Sequence, residues 1–98
     1  MANICSNTFY ANSEDPKNIQ AIKEFFDSWG DADVDYDDDS VDVYFESRWV
    51  FPEEEMKKLF DSLPNKDDIY MRCLSVEYGC DYVAYWKCNE NGWYQQSL

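Results

Sequence analysis

The sequence predicts an α+β domain with a ferredoxin-like core: a split β-α-β antiparallel sheet, two helices on one face, and an extra C-terminal strand or hairpin. Three observations predict it. Two stretches carry apolar residues at helical spacing, and several others alternate apolar and polar residues as strands do. Their order is β-α-β-β-α-β with further strand signals behind it, which is the split β-α-β order. At 98 residues the chain is read as a single domain, residues 1–98, with room for a modest core.

The elements follow in order. "ICSNTFYA" (4–11) alternates as a first strand. "SEDPKNIQAIKEFFDSWG" (13–30) reads as a helix, with Asp15 as N-cap and Pro16 at the first helical position. Ile19, Ile22, Phe26 and Trp29 form its apolar stripe, and Gly30 supplies the stop. "VDY" (34–36) and "VDVYFES" (41–47) then read as a hairpin across the turn chemistry of "DDDS". "RWVFP" (48–52) reads as an extended connection. Pro52 opens a second helix, with Glu53, Glu54 and Glu55 complementing its dipole. Met56, Leu59, Phe60 and Leu63 give its stripe, and Pro64-Asn65 ends it. "DIYMRCLSVEYGCDYVAYWKCNENG" (68–92) reads as two strands joined near Gly79. Asn91-Gly92 turns the chain into a short edge strand, "WYQQ".

Composition narrows function. An aromatic share of 18 % argues against an acidic disordered chain. A net charge of −13, from 21 acidic and 8 basic residues, opposes direct contact with nucleic acid or anionic membrane. It favours a basic protein partner or cations. "MANICSNTFY" lacks a basic n-region and a long apolar run, and no segment has transmembrane length, so the expectation is a cytoplasmic protein. The absence of histidine removes the usual general base and the commonest metal ligand.

The densest feature is acidic. Residues 27–47 hold nine acids and no Lys or Arg. If Val41, Val43 and Phe45 face the core, Asp42, Tyr44 and Glu46 face outward. If Val34 and Tyr36 face inward, Asp33, Asp35 and Asp37 face outward too. Alternate residues of a strand lie about 6.6 Å apart and neighbouring strands about 4.8 Å. Each DNA strand carries one charge per about 3.4 Å. Two acidic strands side by side therefore approach a phosphate backbone in charge density. The competing reading is a solvated face that maintains solubility. A calcium loop is a third reading. Asp35, Asp37, Asp39 and Glu46 match positions 1, 3, 5 and 12 of an EF-hand, but Ser40 stands where the turn needs glycine.

Other chemistry is thinner. Cys5, Cys73, Cys80 and Cys88 are spaced by 68, 7 and 8, unlike paired zinc ligands, and read as reduced, buried small hydrophobes. Tyr70, Tyr78, Tyr82, Tyr85, Trp86, Trp93 and Tyr94 crowd the C-terminal strands. Stacking on RNA would need basic flanks. Core packing or a protein interface fits the charge better. Trp29 and Trp49 read as core. No cofactor, metal site or catalytic residue is expected, and the chain reads as non-enzymatic.

Three segments together resemble one family. "MANICSN" (1–7) is similar to the Met-x-Asn-x-Cys-x-Asn opening of the YubB ferredoxin-like domain family. "SWG" (28–30) with "VYFESRWVFPEEEM" (43–56) resembles its Trp-Gly, aromatic strand and Trp-x-Pro-Pro approach to a helix. "VEYGCDYVAYWKCNENG" (76–92) resembles its Glu-x-Gly, aromatic-x-Gly and Asn-Gly run. Asp31-Ala32-Asp33 stands where the family often has a lysine and a second tryptophan, Val50-Phe51-Pro52 where it has a Ser-Pro-Pro-like run, and Ala84 or Tyr85 where it has glycine. The resemblance implies a ferredoxin-like fold and carriage by plasmids or bacteriophages. The family's biochemical function is mostly unassigned, and no catalytic residue carries over.

The expectation is therefore a small acidic protein of a phage or other mobile element that acts by binding another protein. It would inhibit a basic, nucleic-acid-binding host or defence protein, as an anti-CRISPR protein does, through a surface that mimics nucleic acid. Asp33, Asp35, Asp37, Asp38, Asp39, Asp42, Tyr44 and Glu46 are the candidate partner-binding residues. The alternative is an interaction or dimerisation module that uses its aromatic C-terminal strands without mimicry.

Overall fold

The structure is a computed structural model and describes residues 4–97, the side chain of Cys80 excepted. The first three residues of the "MANICSN" segment and the expected burial of Cys80 lie outside the described residues. The elements run β1 (Ile4–Asn12), α1 (Pro16–Asp27), β2 (Asp33–Tyr36), β3 (Ser40–Arg48), α2 (Glu53–Ser62), β4 (Tyr70–Glu77), β5 (Tyr82–Asn89) and β6 (Gly92–Gln96). They build one six-stranded sheet in the order β2-β3-β1-β4-β5-β6, with every pairing antiparallel. The first six elements give the β-α-β-β-α-β arrangement, and β5 and β6 extend the sheet beyond β4.

Local signals set the helix bounds. The Asp15 carboxylate accepts a hydrogen bond from the Lys17 backbone N–H at 2.9 Å, and Pro16 follows as the first helical residue. At the far end the Ser28 N–H bonds back to Glu24, and Gly30 adopts φ +107°, open to glycine without a Cβ penalty. In α2 the three glutamates fill the first turn, and Leu63 leaves the helix in an extended conformation ahead of Pro64.

Both helices cover the same face of the sheet. Ile19, Ile22 and Phe26 from α1 and Met56 and Leu59 from α2 meet Phe9, Ala11, Val41, Val43, Phe45, Met71 and Cys73. Each fully buried large apolar side chain here contributes about 1.5–3 kcal/mol. Phe26 is the hub of an aromatic cluster, 5.0 Å from both Phe9 and Phe45 by ring centroid. Trp29 packs beside it and donates its Nε1–H to the Glu46 carbonyl at 3.2 Å.

Buried polar groups lock the ends of this core. Asn18, on α1, donates from Nδ2 to the carbonyls of Asn65 (2.7 Å) and Asp68 (2.9 Å), and its Oδ1 accepts from the Asn65 N–H at 3.0 Å. The α1 N-terminus is thereby tied to the loop after α2. Asn7 does the same between strands: Ser75 Oγ donates to its Oδ1 at 2.6 Å, and its Nδ2 donates to Ser47 Oγ at 2.9 Å.

Two expectations are corrected. The 48–52 segment is not extended, and Trp49 is not core. Trp49 lies 50 % exposed at φ +70°, where a bulky side chain is strained. Around it the Val50 N–H donates to the Arg48 carbonyl at 2.7 Å, and Ser47 Oγ donates to the Val50 carbonyl at 2.8 Å. This tight turn rotates the next inward position onto Phe51, which is 3 % exposed and stacks on Trp86 at 4.5 Å. Tyr36 shares the helix-side face with Val34 but is 55 % exposed, because β2 is the edge strand of the sheet. From α1 the Lys23 ammonium caps its ring, 3.6 Å from the centroid.

Candidate functional site

The second face of the sheet carries no helix, and its residues are set by strand parity. On β3 the alternation of buried Val41, Val43 and Phe45 sends Asp42, Tyr44 and Glu46 to this open face. Register then places β2. Asp35 pairs with Asp42 and Asp33 with Tyr44, so four carboxylates, Asp33, Asp35, Asp42 and Glu46, share one exposed surface with Tyr44 among them. The Tyr44 hydroxyl donates to Ser6 Oγ at 3.1 Å, which orients its ring across β1.

Asp37, Asp38 and Asp39 are exposed as well, but at the hairpin tip and not on the sheet face. The Asp37 N–H donates to the Ser40 carbonyl at 2.9 Å, closing the turn, and the Asp39 carbonyl accepts from the Ser13 N–H at 2.9 Å. The expected carboxylates thus form two groups, one on the pleated face and one at the end of the β2–β3 hairpin. The EF-hand spacing is spread over both groups and two strands. Among the described residues no cluster of three or more His, Cys, Asp or Glu is placed to hold a metal ion.

The rest of the open face is different in character. Following the same register, Asp35 and Asp42 continue through Tyr10 on β1, Arg72 on β4 and Lys87 on β5 to Tyr94 on β6. One transverse row therefore runs from acid at one side to base at the other. The Arg72 guanidinium stacks 4.4 Å from the Tyr10 ring, and the Lys87 ammonium lies 5.7 Å from that of Tyr85. Burial raises the Tyr70 hydroxyl's pKa, but its hydrogen bonds to Arg72 and Tyr85 and the nearby cationic charges outweigh that and hold it below the usual tyrosine value. Between these groups Tyr10, Asp42, Arg72, Leu74 and Tyr85 line a shallow depression of about 410 Å³.

No family model matches the chain, and no curated protein or solved structure matches it. The functional reading therefore rests on this surface.

Arg72 and Lys87 are the residues that reading the sequence missed. They are 15 positions apart, and only the β4–β5 register makes them neighbours. Their strand parity was the available signal, since both alternate with buried residues. The C-terminal aromatics divide between the faces. Trp86 and Trp93 pack against Phe51 on the helix side, and Trp93 donates its Nε1–H to the Met56 carbonyl at 2.9 Å. Tyr70, Tyr85 and Tyr94 belong to the open side, and Tyr78 stands exposed in the 3₁₀ turn between β4 and β5. Among the described residues no helix is long and apolar enough to cross a membrane.

Cys5, Cys73 and Cys88 are free and buried. Burial pushes the thiols of Cys73 and Cys88 up from 9.0 to about 12 and also raises that of Cys5. A thiol reagent at neutral pH is therefore expected to leave these three unlabelled in the folded protein and to label them fully in denaturant, as peptide mapping by mass spectrometry will show. The pH dependence follows in sign. An acid whose folded pKa exceeds its unfolded value stabilises fully below the unfolded value and loses that contribution as pH rises through the folded one. The melting temperature should fall between pH 9.0 and about 12.

Proposed function

We propose that this protein acts by binding a basic protein through the acidic β2–β3 side of its open sheet face, and that it inhibits a nucleic-acid-binding or defence protein by mimicking nucleic acid. The observation that carries the reading is the register of Asp35 against Asp42. Like charges placed directly opposite across strands destabilise a sheet by a few tenths of a kcal/mol. Stability alone would favour a neutral or opposite partner at one of these positions. A partner rich in Lys and Arg would neutralise the pair, together with Asp33 and Glu46 beside it and Asp37, Asp38 and Asp39 at the tip. Attraction of this kind speeds encounter and weakens with salt. Tyr44 lies within the carboxylates as an aromatic anchor. The resemblance to the YubB ferredoxin-like family supports a phage or mobile-element origin and a bacterial cytoplasm as the place of action. The reading involves no enzymatic step, no cofactor and no direct contact with nucleic acid or membrane.

The test is capture from host lysate on the immobilised protein. The bound partner should be a basic nucleic-acid-binding protein, released by salt and by competing DNA or RNA. Changing Asp35, Asp37, Asp39 and Asp42 together to Asn should abolish capture while the melting temperature stays level or rises, because the Asp35–Asp42 repulsion is relieved. A partner that nucleic acid does not displace would rule out mimicry.

A second reading, a protein-interaction or dimerisation module without mimicry, is favoured by the exposed Leu74, Val83 and Tyr94 on the C-terminal strands of the same face.

A further inference from the structure

We infer that the open sheet face is an interface between two copies of this chain, related by a two-fold axis parallel to the strands and lying over the β1–β4 boundary. Such a dimer rests on the second reading above and is independent of mimicry. Its first support is apolar surface. Ile4, Tyr44, Leu74, Val83 and Tyr94 are large hydrophobic residues that stay exposed, and all five belong to the open face by register. No described element covers them, and clustered exposed apolar groups mark interaction surfaces.

Charge complementarity selects the second copy as the occupant and also the axis. The central row reads Asp35, Asp42, Tyr10, Arg72, Lys87, Tyr94 in the strand order β2-β3-β1-β4-β5-β6. A two-fold axis along the strands, between β1 and β4, reverses this row against itself. Asp42 then faces Lys87 of the second copy, Tyr10 faces its Arg72, and Asp35 faces its Tyr94. Every contact occurs twice, as a closed isologous interface requires. In the next row Tyr44 faces Tyr85 and Thr8 faces Leu74. A two-fold axis perpendicular to the strands would instead set Asp42 on Asp42 and Arg72 on Arg72. The central row therefore favours the first arrangement, in which Glu46 two rows away meets Val83, over the second, which sets like charges together.

The area suffices. The outermost of six strands at about 4.8 Å spacing lie about 24 Å apart, and a mean strand length of about 24 Å gives roughly 600 Å² per copy, about 1,200 Å² in all. That meets the lower end of specific interfaces. The aligned packing of two twisted sheets face to face is a common solution. Asp37, Asp38 and Asp39 at the hairpin tip stay outside it. Asp42 would serve both the dimer and a basic partner, so the two would exclude one another.

Sedimentation equilibrium on the full chain over micromolar concentrations tests the dimer with purified protein alone. The wild type should dimerise. Asp42→Lys should weaken dimerisation by about tenfold or more, because a lysine then faces Lys87 at each of the two symmetry-related contacts. That sign is diagnostic: the substitution changes the net charge per copy from −13 to −11, so general repulsion alone would predict a tighter dimer. Lys87→Asp should weaken it as well. The double variant, which returns the net charge to −13, should restore it. Leu74→Asp, at a position already 39 % exposed, should disrupt the dimer independently without unfolding the chain. A wild type that stays monomeric throughout overturns the inference, as does an Asp42→Lys variant that dimerises as well or better, or a double variant no better than the singles. If a monomeric wild type still captures another protein in a manner lost with Leu74→Asp, the dimer fails and the broader interaction reading stands.

Discussion

Replacing Phe26 by alanine should lower the unfolding free energy by about 4 kcal/mol, the cost of a large cavity in a closely packed core. The reason lies in its surroundings. Phe26 is 1 % exposed and its ring meets those of Phe9, Phe25, Trp29 and Phe45 at centroid distances between 5.0 and 6.3 Å. It is the point where α1 grips both β1 and β3. Rigid rings on four sides collapse poorly, so the cavity persists. A domain of this size has about 5–15 kcal/mol of stability in total, so the variant would retain only part of it. The melting temperature should fall by roughly 15–30 °C. Phe25→Ala gives the contrast: its ring is half-buried, packs on the rim of the cluster, and should cost about 1 kcal/mol. Equal losses at the two positions would show that α1 presents a different face to the sheet.

Asn18→Ala should cost about 2–4 kcal/mol, although alanine is the better helix former. The substitution strands the carbonyl and the N–H of Asn65 in a site where Asn18 itself is fully buried, while the Asp68 carbonyl keeps its bond from Ser13 Oγ. Unmet buried polar groups cost about 1–3 kcal/mol each. Asn18→Asp separates this account from a packing effect, because it keeps the shape and loses the donors. Its carboxylate would face two carbonyl oxygens, so its folded pKa would rise above the unfolded value of about 3.9. Stability of the Asp variant should then improve as pH falls through that raised pKa, since the protonated acid can donate again. A denaturant midpoint for Asn18→Asp that tracks Asn18→Ala at every pH would remove the hydrogen-bond explanation.

These two positions also mark how far the sequence could be read. Phe26 was legible, since a stripe at i, i+3 and i+7 has one physical solution, a helix with that stripe inward. Asn18 was not. Its partners are 47 and 50 residues away, and nothing local distinguishes it from a surface asparagine on a helix. The same division separates Trp49 from Phe51. Both are aromatic residues between a strand and a helix, and hydrophobicity alone put Trp49 inside. The turn made by the Val50 N–H and the Arg48 carbonyl throws Trp49 outward and returns Phe51, of the same strand parity, to the core, which only backbone conformation decides.

The candidate surface divides in the same way. Strand alternation alone places Asp42, Tyr44 and Glu46 on the outer side of β3, because period two leaves no other choice once Val41, Val43 and Phe45 are buried. The sequence could not say that Asp35 would pair with Asp42, although the hairpin made proximity certain. Nor could it say that β1, through Tyr10, would separate this acidic pair from Arg72 on β4 and Lys87 on β5 in a single row.

By itself, the sequence determined the order and nature of the elements, the faces of the helices and strands, and a strongly acidic hairpin. Those properties depend on neighbours within a few residues, where spacing, caps and side-chain parity act. The tertiary structure alone decided the register across the strands, the polarity of the open face from Asp35 to Lys87, and the exchange of Trp49 for Phe51. Those depend on which distant segments lie side by side, and that is fixed by burying both helices against one face of the sheet at once.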